Sequence, residues 1–168
     1  MPHRLGPQCQ ITEGVSQKAF MSEGDMIDPL TAGPLAFSQM ADGLSKLLIA
    51  LRAEKERRHR KAGRYFTALG KTLQEMTEKL RRKEIPRVEG NRFNGLVSAF
   101  DKETSSLPAK ITTARQSVRK AAYVARRLDW HYIDYDEHVA RTAERWLADM
   151  ERTAGFLQAV GELLGGGA

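Results

Sequence analysis

The sequence predicts an all-α protein, built as a long antiparallel helical hairpin of coiled-coil character with a short third helix at its tip. Three observations predict it. Apolar residues recur at steps of three and four over most of the chain, the spacing of one helix face and not the alternation of a strand. Proline is absent between Leu35 and Ile85 and again after Pro108, so no proline interrupts two long segments. Charged residues make up 29% of the chain and aromatics only 7%, a balance that suits long helices with much exposed surface. A compact four- or five-helix bundle is the alternative reading of the same stripes.

Residues 1–34 carry Pro2, Pro7, Pro29, Pro34 and several glycines without a sustained apolar period. They predict a flexible N-terminal arm. Residues 35–168 predict a single helical domain. Its first helix spans 35–84, with a stripe of Phe37, Met40, Leu44, Leu47 and Leu51 that resumes at Ala62, Tyr65, Leu69, Leu73, Met76 and Leu80. Ile85-Pro86 stops it. A short helix over 89–105 puts Phe93, Leu96, Val97 and Phe100 on one face. Pro108 then opens a third helix over 108–164. Its stripe runs from Ile111, Val118, Ala122, Ala125 and Leu128 through Tyr132, Tyr135 and Val139 to Trp146, Met150, Ala154, Leu157 and Leu164. Short connections make the long helices antiparallel neighbours, with Leu73 opposite Ala121 and Leu51 opposite Ala143.

The first stripe has one interruption, where Lys55 and Arg58 take apolar positions. The same pairing brings Asp129 and Asp136 alongside. These four residues predict a polar layer across the hairpin, a device that sets register more than it stabilises, because buried ions lose hydration.

Charge sets the functional expectations. The net charge is +6, and it is unevenly placed. Lys46–Arg64 holds eight basic residues against two acidic ones, and Thr104–Leu128 holds six with no acid. Asp129–Glu151 reverses the sign, with seven acids against two arginines. On the third helix Arg115, Arg119, Tyr123 and Arg126 share one face beside the apolar stripe. Arg57, Arg60 and Arg64 point away from the stripe of the first helix. Arginines contact phosphates, and an interleaved tyrosine can stack on bases. These seven residues are the candidate nucleic-acid-binding set, for DNA or RNA. A merely solvated helix face would mix its signs, as Thr104–Leu128 does not. An acidic protein partner met by a coiled-coil interaction module, as a homo- or hetero-oligomer, fits the same charge.

Other chemistry finds little support. The chain has one cysteine, Cys9, so it has neither an internal disulfide nor a paired-cysteine metal knuckle. His131, Asp134 and His138 share a helix face but match no named metal motif, and no metal or other cofactor is expected. No run approaches the roughly 20 apolar residues of a membrane span, and a cytoplasmic protein is expected.

Arg126 and His131, in the run RRLDWH, resemble the Arg-x4–6-His motif of HEPN-type helical ribonucleases. The resemblance covers six residues, and Arg127 stands where that family often has a small polar residue. It implies metal-independent RNA cleavage in a cleft, often at a dimer interface. His131 would move the proton and Arg126 would stabilise phosphate charge. In size, helicity and basicity the chain is also similar to the small helical subunits of CRISPR effector complexes. That likeness of form implies a non-catalytic subunit within a larger assembly.

Overall fold

The computed structural model describes residues 29–53, 59–128 and 137–166, and for 29–31 and 137–143 it describes the backbone alone. Helix accounts for 87% of the described residues, and no strand is present among them. The helices are α1 (Pro29–Ala53), α2 (Arg60–Arg81), α3 (Arg87–Ser98), the single turn α4 (Phe100–Glu103), α5 (Thr112–Arg126) and α6 (Glu137–Gly165), with a 3-10 turn at Ala109–Ile111 before α5. No described helix is long and apolar enough to cross a membrane.

Each long helix of the sequence reading is two helices in the structure. In place of one rod over 35–84 stand α1 and α2, and both pack against α6. α1 runs parallel to α6. Gly33 lies under the Trp146 indole, and further along the Thr153 hydroxyl donates to the Phe37 carbonyl at 3.0 Å. α2 runs antiparallel to α6, with Gly63 against Gly161 and Gly165, Gly70 against Ala154 and Leu157, and Arg81 paired to Glu151. α1 and α2 therefore point in opposite directions, which one continuous helix cannot do. In place of 108–164 stand α5, which packs on α1 with Gly43 beside Val118, and α6. The expected helix over 89–105 is α3 followed by α4, offset at Ala99. The physical reason for the folding back is burial. A rod offers each stripe a single seam, whereas α6 set between α1 and α2 covers both. Phe37, Met40, Leu44, Leu69, Leu73, Met76, Met150 and Leu157 are all fully buried in one continuous core.

The expected boundary at residue 34 also falls inside a helix. α1 is described from Pro29 and continues through Pro34. The first 28 residues of the expected N-terminal arm lie outside the described residues, as do Lys55, Arg58, Asp129 and Asp136 of the expected polar layer.

Two local features shape the site. α2 closes with the Lys83 N–H donating to the Leu80 carbonyl at 3.0 Å and the Glu84 N–H to the Lys79 carbonyl at 2.9 Å. That pair of bonds is a Schellman cap, and it holds Lys83 in the left-handed region at φ 60°. The chain then turns at Ile85, and Pro86 opens α3. Inward, α3 and α4 contribute Phe93, Val97 and Phe100, all fully buried. Phe100 meets Phe66 edge-on at 6.2 Å and Tyr65 at 6.1 Å, and Phe93 lies 6.4 Å from Phe37. These aromatic contacts seat α3 and α4 on the core, and T-shaped pairs contribute about 0.5–1.5 kcal/mol each beyond their buried area.

Candidate nucleic-acid interface

α3 and α4 form a strip between α2 and α5, and cations stand on both sides of it. At its middle the strip presents small residues outward, with Gly95 and Ser98 exposed and Ala99 half-buried, between exposed Asn91 and Arg92 on one side and Asp101 and Lys102 on the other. Its edges are tied down by polar contacts. On the α2 side the Tyr65 hydroxyl donates to the Leu96 carbonyl at 3.0 Å, Arg92 pairs with Glu75 at 2.8 Å, and Lys61 pairs with Glu103 at 3.3 Å. On the α5 side Arg126 donates to the Ser98 hydroxyl at 3.0 Å, Arg119 pairs with Asp101 at 2.8 Å, and Arg115 donates to the Thr104 carbonyl at 3.1 Å.

Four of the seven candidate residues are thus together on α5. Their spacing of four, four and three residues keeps them on one face. The Tyr123 ring lies between the two arginines in sequence and in space, with the Arg119 guanidinium 5.1 Å and the Arg126 guanidinium 5.2 Å from its centroid. Both are within cation–π range. Arg60 and Arg64 are exposed on α2, across the strip from α5. Neither has a carboxylate partner among the described residues. Arg57 lies outside the described residues.

A groove of about 400 Å³ opens between α2 and the strip. Lys61 and Arg64 line one wall, Leu96 and Ala99 the other, with Tyr65, Gly95 and Glu103 completing it. Burial first, and the negative charge of Glu103 second, push the Tyr65 hydroxyl well above the ordinary tyrosine pKa. It therefore remains a neutral donor, fixed on the Leu96 carbonyl. At the other end of the strip Glu89 is buried against Lys79, 2.9 Å away. Burial alone would raise its pKa. The Lys79 hydrogen bond, its own backbone N–H and the charges of Lys79 and Arg92 together outweigh burial, and the carboxyl ends below its ordinary range.

Several sequence expectations fall elsewhere. Arg126, one half of the ribonuclease-like pair, is held by Ser98 and Tyr123, while His131 lies outside the described residues. Among the described residues no cluster of three or more His, Cys, Asp or Glu could hold a metal ion. Sequence reasoning left Gly95, Ser98, Asp101 and Glu103 out of the site. Their signal is faint: small residues on the outward face of a short helix, and the last two acids before the acid-free stretch. No protein-family model, curated protein or solved structure matches the chain.

Proposed function

We propose that the chain closes as a compact helical bundle and works as a non-catalytic, basic nucleic-acid-binding protein, which grips phosphate backbone along the α3–α4 strip. The observation that carries this reading is the placement of cations on both flanks of a low strip: Lys61 and Arg64 on α2, Arg119 and Arg126 on α5. A phosphate chain laid along the strip meets both rows. The two carboxylates there, Asp101 and Glu103, do not close the site. Asp101 makes an exposed ion pair, which contributes only about 0–1 kcal/mol, and Glu103, half-buried, is already neutralised by the exposed Lys61. A phosphate arriving at Arg119 or Lys61 also releases condensed counterions, which repays the exchange. The cationic balance of the whole chain, +6, draws polyanions in the same direction.

Fluorescence anisotropy with a labelled oligonucleotide tests the proposal. Each lost phosphate contact lowers the slope of log affinity against log salt by about 0.7–0.9. Replacing Arg64, Arg119 and Arg126 by alanine together is therefore expected to flatten that slope by about 2 to 3. Absence of binding to both DNA and RNA at about 50 mM salt, where electrostatic association is strong, refutes the proposal.

A further inference from the structure

We infer that the groove between α2 and α3 is a subsite for one unpaired base, with its phosphate on Arg64, so that the strand bound along the strip is single. The inference rests on the proposed nucleic-acid reading and narrows it.

The groove has the features an unpaired nucleotide needs and a duplex does not use. Its volume of about 400 Å³ falls in the range of about 300–1,000 Å³ typical of small-molecule sites, and a duplex keeps its bases stacked away from any such recess. One wall is apolar, from Leu96 and Ala99, and the buried Tyr65 lies at its base. A base prefers such a surface because every base has an apolar face to bury. The rim carries Lys61 and Arg64 against one carboxylate, Glu103, which is paired to Lys61. Arg64 is exposed and has no carboxylate partner among the described residues, so its fork is open to a phosphate. Gly95 keeps the mouth clear, since a Cβ built there would meet no atom within 4 Å. The α2–α3 contact beneath is fixed by the Tyr65–Leu96 hydrogen bond, so the recess exists before anything binds.

The same observation at Gly95 supplies the test. A Cβ at position 95 has open space around it, so leucine there is expected to narrow the mouth of the groove, and alanine to narrow it less. Affinities of wild type, Gly95→Leu, Gly95→Ala and Arg64→Ala are measured by anisotropy for a labelled 15-nucleotide strand and for the duplex of the same sequence. Wild type is expected to prefer the single strand. Gly95→Leu is expected to weaken single-strand binding about tenfold, within the range that loss of one base stack produces. Its duplex binding should weaken clearly less than its single-strand binding. Gly95→Ala should bind as wild type, and Arg64→Ala should weaken both forms. A 2-aminopurine placed in the strand gives a reading independent of any variant. Its emission is expected to change when wild type binds, because one base leaves its stacked neighbours. Equal wild-type affinity for both forms, an unaffected strand affinity in a folded Gly95→Leu protein, or an unchanged emission on binding overturns the subsite and leaves the wider proposal standing. No binding of either form overturns both.

Discussion

Gly161→Ala tests a close approach of α6 to α2. A Cβ on Gly161 would lie 2.8 Å from the Thr67 backbone nitrogen and 2.9 Å from the Gly63 carbonyl oxygen, and it would also meet the Thr67 hydroxyl. The hydroxyl can rotate away, but the two backbone atoms cannot. Ordinary contact begins at 3.4 Å, so α2 and α6 must part by about half an ångström. That strain costs about 1–3 kcal/mol in a packed interior. Alanine returns about 1 kcal/mol through its better helix propensity. With backbone on the other side the strain outweighs the propensity, and a net loss of up to about 2 kcal/mol is expected. Gly155→Ala, on the same helix, is the control. Gly155 is exposed and a Cβ there meets nothing within 4 Å. Only the propensity term remains, and a gain of roughly 0.8–1 kcal/mol is expected. Urea unfolding followed by circular dichroism reads both, with unchanged m values as the condition for comparing them. If the two substitutions shift the midpoint in the same direction, the close packing of α2 on α6 is wrong.

Lys83→Gly removes the side chain from a left-handed residue in the α2 cap, and a gain of about 0.5–1 kcal/mol in urea unfolding is expected, since glycine adopts this conformation freely. Glu89 has a folded pKa below its unfolded value, so its contribution is present above about pH 4.3, the ordinary glutamate pKa, and is lost as pH falls through the folded value. The stability advantage of wild type over Glu89→Gln is therefore expected to shrink on acidification below pH 4.3, read from urea midpoints across that range. Tyr65 has the opposite sign: its folded pKa is raised, so stability is lost as pH rises above about 10. Tyr65→Phe is expected to lose about 1 kcal/mol near neutrality with its hydrogen bond, and to show a shallower decline at alkaline pH.

The helical class and the buried faces were legible in the sequence. Phe37, Met40, Leu44, Leu47 and Leu51 are buried as their spacing predicts, and so are Leu69, Leu73, Met76, Trp146, Met150 and Leu157. The direction of each helix was not legible. Stripe period is a local property, and it continues in phase whether the chain runs straight or folds back. Direction comes from which stripe covers which, a contact between residues far apart in sequence. The interruption between Leu51 and Ala62 was visible, and it falls between α1, described to Ala53, and α2, which starts at Arg60; the four residues of the expected polar layer lie outside the described residues. Gly63 and Gly70 each cost a helix about 1 kcal/mol of propensity relative to alanine. In the fold they are the places where α6 comes nearest. The site divides the same way. The α5 face of Arg115, Arg119, Tyr123 and Arg126 follows from spacing within one helix. Ser98, Asp101 and Thr104 opposite it do not, because they arrive on other elements.

The position of α6 against both α1 and α2 has a consequence for biosynthesis. Phe37 and Thr153, joined by a hydrogen bond, are 116 positions apart. As the polypeptide leaves the ribosome, the oily flanks of α1 and α2 emerge well before the segment that shields them. Until α6 has emerged, the sides of α1 and α2 that face it stay uncovered, so closing this part of the core waits on contacts far apart in sequence.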